Sequence, residues 1–178
     1  MDPDGRLFTA AEKQAKLVNL QITKYGVYHQ SSNGIVSDYQ NGNVKHLVCN
    51  QYIALTYKLA GESSIPYDGN VNNLKNWFAS GDPAKRVYLS GSNVSMQNLE
   101  KGDALFMSWG GRKVPTHVEM IKDVFKVDGI VKGFKLEGAK STKSGVGERK
   151  AEFNSFTKYQ EMMKDTTILG IGQMKDKP

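Results

Sequence analysis

The apolar residues of this chain change their spacing once, and that change sets the order of its elements. Up to about residue 80 they recur at helical intervals, and beyond residue 100 they gather in short runs that read as strands. Residues 9 to about 25 carry an apolar stripe of Ala11, Ala15, Val18, Ile22 and Tyr25, with Leu17 and Leu20 off it. Thr9 can cap that helix, and Glu12 three residues later completes a capping box. Residues 28–44, rich in Ser, Asn and Gly, read as a loop. A second helix is predicted over 49–60, with Gly61 as its C-cap. Cys49, Tyr52, Ile53, Thr56, Tyr57 and Ala60 share one face, while Leu55 and Leu59 make another face apolar too. A helix greasy on most sides belongs in the centre of a fold. A short third helix is predicted over 72–80. ALFMSW (104–109), HVEMIKDVF (117–125), GIVKGFKLEG (129–138) and TILGIGQM (167–174) then read as strands, and Asp128-Gly129 is a hairpin signal. Helices first and an antiparallel sheet second is an α+β order, not alternating α/β.

The 178 residues fit one domain with at most a short appendage, and 39% hydrophobic residues mark it as globular. The expected division is a linker or junction over 1–8 and a single domain over 9–178. No internal repeat or low-complexity tract interrupts it. No apolar run reaches membrane-spanning length, so no stable membrane insertion is expected. The opening MDPDGRLFTA lacks the basic-then-apolar order of a secretory signal. The protein therefore stays where it is made, travels by another route, or has its signal outside this sequence. The net charge of +6 favours anionic partners such as nucleic acid, lipid headgroups or a cell wall. The lysines are scattered, and no RNA-binding signature or zinc finger supports nucleic acid. One cysteine excludes an intramolecular disulfide and a multi-cysteine metal site. Three histidines (His29, His46, His117) without HExxH spacing point away from zinc, and no cofactor is expected.

Most free cysteines are buried small hydrophobes. Cys49 differs in standing at the start of its predicted helix, in HLVCNQYIALTYKLAG. There the unpaired N–H groups and the helix dipole favour an anion, which activates a thiol and can hold an oxyanion. A nucleophilic thiol needs a base. His46 and His29 read as loop histidines in water. His117 opens a strand behind GGRKVP and Thr116, where an imidazole can meet a helix N-terminus from a separate segment.

The base in turn needs an orienting acceptor, for which Glu119, Glu137 and Asp123 are candidates. Strand alternation puts His117 and Glu119 on one face. If Asp128-Gly129 is a two-residue turn, Glu137 lies opposite Met120 and points away from His117. If the loop has an odd number of residues, Glu137 shares the His117 face. The sequence leaves both registers open.

In this order, the segments resemble the NlpC/P60 family of papain-like cysteine peptidases and amidases. VCNQYIALTYKLAG resembles the family's cysteine helix, which ends in Ala-Gly. LEKGDALFMSW followed by THVEM resembles its Leu-x-x-Gly-Asp strand and its His-Val strand. KLEGAKSTKSGVG resembles the third block, and LGIGQM the closing strand. The resemblance covers most of 47–174. It implies a Cys49 nucleophile, a His117 base and Glu137 as third polar residue, with the cysteine helix packed on an antiparallel sheet. It also implies a tyrosine near the oxyanion, for which Tyr39 is the nearest match, and a substrate site that includes Asn50 and Trp109. The flanks of Cys49 depart from the family pattern. Val48 replaces its acid, Asn50-Gln51 replaces Ser-Gly, and the upstream Trp-Gly-Gly is missing.

The function this implies is hydrolysis of amide bonds, with peptidoglycan stem peptides as the expected substrate. Two alternatives keep the fold: an acyl or peptidyl transferase or protein-directed protease toxin working through the same thioester, or a binding module that has lost catalysis. DPDGRLF resembles the junction at which the shell of Rhs-type repeat proteins gives way to a C-terminal toxin. That likeness implies a delivered antibacterial effector acting at the periplasm or cell wall, with an immunity protein as partner. Asp-Pro-Asp-Gly is also simply a good turn.

Overall fold

A computed structural model of the chain describes residues 41, 47–68, 70–141 and 145–175. The predicted linker 1–8, the helix expected over 9–25, His29, Tyr39 and His46 lie outside the described residues. What is described is α+β, with three helices and one six-stranded antiparallel sheet. The helices are α1 (Cys49–Leu59), α2 (Val71–Ser80) and α3 (Phe156–Met163). The strands are β1 (Arg86–Ser90), β2 (Ala104–Trp109), β3 (His117–Val127), β4 (Ile130–Ser141), β5 (Gly145–Phe153) and β6 (Thr166–Met174). Their order across the sheet is β1-β6-β2-β3-β4-β5, so the last strand in sequence lies between the first two.

Each face of the sheet has its own core. Ala104, Phe106, Val118 and Met120 pack with Tyr52, Ile53, Tyr57, Leu74 and Phe78 of α1 and α2. Leu105, Met107, Ile121, Leu136 and Ile171 pack with Tyr159 of α3. Alternate residues of β2 thus enter opposite cores, which is why ALFMSW reads as an unbroken apolar run. Tyr52, Ile53, Leu55 and Tyr57 are fully buried, and burial of each such side chain stabilises the fold by about 1.5–3 kcal/mol.

The start of α1 is plainly capped. Val48 is extended (φ −89°, ψ 172°) and supplies no side-chain acceptor, but Gln51 Oε1 accepts the Val48 N–H at 3.1 Å. The helix ends at Ala60 in place of the expected Gly61, which follows at φ 108° in the left-handed region. Tyr57 Oη donates to Gly102 O at 2.6 Å and ties the far end of α1 to the loop before β2. Asn70 caps α2 by accepting from Asn72 N and Asn73 N at 2.9 and 3.2 Å. On β6 a Cβ at Gly172 would lie 2.6 Å from the Phe78 ring, so the missing side chain lets α2 settle on the sheet.

The β3–β4 hairpin decides the open register. Val127 pairs with Ile130 across a two-residue turn, and both turn residues have positive φ, Asp128 at 52° and Gly129 at 79°. Two irregularities follow, at Phe125/Lys126 and Ile121/Asp123, and they cancel. Glu137 therefore stands opposite Met120.

Candidate active site

Cys49 is the first residue of α1 and His117 the first of β3, and both are buried, at 5% and 3% exposure. His117 stands at the rim of the sheet, where the layer of α1 and the layer of α3 both reach it. From one side comes the Cys49 thiol, near enough to favour the protonated ring. From the other comes Glu119, with Oε2 at 3.2 Å from His117 Nε2. Nδ1 makes no hydrogen bond of ordinary geometry among the described residues. Burial alone would strip the ring of its proton. The hydrogen bonds and charges of Cys49 and Glu119 outweigh burial and lift His117 from 6.5 to about 9.

Glu119 is fully buried and held from the opposite layer. Tyr159 Oη donates to Glu119 Oε2 at 3.1 Å and lies 3.0 Å from Met107 Sδ. Gly138, its cross-strand neighbour, leaves room, since a Cβ there would come within 3.1 Å of Glu119 Cγ. The sequence held a signal for the helix that supplies Tyr159. Ser155 accepts from Lys158 N at 3.0 Å as an N-cap, and Phe156, Tyr159 and Met163 follow at helical spacing.

Glu137 does not reach His117. It is buried on the α1 side of the sheet, where Tyr52 Oη donates to its Oε1 and Lys122 Nζ lies 3.5 Å from Oε2. The cause is the two-residue turn, which sends Glu119 and Glu137 to opposite faces. Of the three carboxylates considered, Glu119 is the one at the histidine. Asp123 accepts from Val124 N at its own place in the bulge.

The chain matches no family model, no curated protein and no solved structure.

The remaining expected residues divide. Trp109 stacks on His117 with ring centroids 5.0 Å apart and planes 22° from parallel, and is itself 46% exposed. An indole face in that position favours the charged imidazolium. Asn50 is buried beside Cys49, with Nδ2 donating to Asp68 O at 3.4 Å and Oδ1 bonded to no described residue. No group of three or more His, Cys, Asp and Glu side chains among the described residues is arranged to hold a metal ion. Chemically, the set offers a thiol at a helix N-terminus, a cationic imidazole beside it, a carboxylate that fixes the ring, and first-turn N–H groups with no acceptor in the helix.

Proposed function

We propose that this chain is a cysteine hydrolase of amide bonds with a papain-like, NlpC/P60-like arrangement. The observation that carries the reading is the Cys49–His117–Glu119 constellation, drawn from α1 and β3 and closed by Tyr159. The Cys49 thiolate attacks the amide carbonyl, forming the S–C bond. The first-turn N–H groups of α1 hold the oxyanion. His117, protonated at neutral pH, gives its proton to the leaving amine as the C–N bond breaks. Neutral His117 then takes a proton from water, whose hydroxide opens the thioester and frees the acid. Glu119 is a positioning residue: it acts through the ring it orients.

Peptidoglycan stem peptides are the proposed substrate class, and delivery to a bacterial wall the proposed setting. A net charge of +6 suits an anionic wall. The test is incubation of purified muropeptides with wild type and Cys49→Ala, with new amines read by mass spectrometry. Wild type should release them and Cys49→Ala should not. Muropeptides left whole by wild type would end the wall-hydrolase reading.

A further inference from the structure

The large apolar side chains that stay exposed among the described residues fall into two groups at opposite ends of the sheet. Trp109 and Val114 flank the site already described. Phe125, Val127, Ile130 and Met162 gather at the far end, around the tip of the β3–β4 hairpin. β3, 11 residues long, runs from one group to the other, a span of about 30 Å. Clustered exposed apolar groups of this kind mark contact surfaces.

The far group has two parts. One is a hollow of about 590 Å³ walled by Phe125, Phe153 and Met162. Its floor is open because residue 133 is glycine: a Cβ there would lie 3.1 Å from Phe153 O and 3.6 Å from Phe125 Cδ2. Lys132, Lys158 and Glu152 bring charges to its lining. The other part is a projection. Val127 and Ile130 face each other across the two-residue turn, with Lys126 just before them and Asp128 in the turn, all exposed. Asp128 and Gly129 fix that turn at positive φ, so the projection is formed before it meets anything. None of Lys126, Asp128, Lys132, Glu152 and Lys158 belongs to an ion pair among the described residues.

We propose that the hairpin tip of one chain seats in the hollow of a second copy, whose own tip seats in the hollow of the first. Tip and hollow adjoin on one surface, so a two-fold axis can satisfy both at once. Val127 and Ile130 enter between the apolar walls. Asp128 meets Lys158 of the partner subunit, and Lys126 meets Glu152 of the partner subunit. Two other occupants fit less well. A bilayer would have to take in the carboxylate at the turn, and a uniformly acidic segment would meet Glu152 in the lining. The tip of this chain carries the apolar pair together with a charge for each sign in the hollow. The contact lies a strand's length from His117, so both sites stay open in the dimer. The dimer does not depend on the hydrolase reading.

Analytical ultracentrifugation of the 178-residue chain tests this. Across about 1–100 μM the mass should move from one chain to two. Asp128→Lys and Lys158→Glu each bring like charges together and should each weaken the dimer roughly tenfold or more. Mixed in equal amounts, the two variants should recover it. In their heterodimer the introduced lysine and glutamate face each other at one contact, while Asp128 and Lys158 meet at the other. Ile130→Ser removes an exposed apolar group without touching the turn and should weaken the dimer by a similar factor. A wild type that stays single up to about 100 μM overturns the proposal. If that single chain pellets with phosphatidylglycerol vesicles, lipid is the occupant instead. Dimerisation that the variants leave unchanged overturns it too, as does a mixture that stays single while each variant keeps the wild-type circular dichroism spectrum. Where Asp128→Lys does not fold, Ile130→Ser and Lys158→Glu decide.

Discussion

At His117 the two nitrogens have different neighbours. Nε2 faces Glu119, so the ring is fixed through that nitrogen, and under the proposed mechanism Nδ1 is the one that exchanges protons. Glu119→Gln keeps the shape but removes the charge, so His117 should titrate below its present value of about 9. If His117 must be protonated to release the amine, the alkaline limb of cleavage sits near 9 in wild type and moves down in Glu119→Gln, with kcat reduced by about a hundredfold or more. Glu137→Gln is the matched control. Its carboxylate answers to Tyr52 and Lys122, so the limb should stay in place while the melting temperature falls. A pH profile that shifts in Glu137→Gln and not in Glu119→Gln would reverse the assignment of the two glutamates.

Among the elements, α3 matters more than its eight residues promise, because it brings the hydroxyl that meets a buried carboxylate. Tyr159→Phe leaves that carboxylate short of one donor and should cost about 1–3 kcal/mol in chemical denaturation. Gly172→Ala on β6 should cost a similar 1–3 kcal/mol, because the Phe78 ring must move aside. What could be read in the sequence follows from how each element is buried. β2 was legible residue for residue, because both its faces enter a core. α1 and α2 were legible to within a residue at each end from their helical spacing. β1 at one edge of the sheet, and β5 at the other with its glycines and charges (GVGERKAEF), gave no strand signal. α3 carried its signal in the Ser155 cap and in Phe156, Tyr159 and Met163 at helical spacing, though only Tyr159 is fully buried. Cys49 and His117 were legible as a pair; the choice between Glu119 and Glu137 hung on the length of one turn.

Over the whole molecule, the proton on His117 links the site to stability. Its folded value of about 9 exceeds the 6.5 of an ordinary histidine, so folding favours the protonated ring. That contribution is complete below about pH 6.5 and is lost as pH rises through 9. Stability against urea should therefore decline across this window in wild type, and much less in His117→Gln. A slope that is the same in both proteins would mean that His117 does not carry it. The sheet order has a consequence of another kind. A ribosome has made Cys49, His117, Glu119 and Tyr159 before it begins β6, yet β1 and β2 meet only through that strand. The residues of the proposed site are thus written early and assembled late, so synthesis of the thiol runs ahead of the sheet that would aim it.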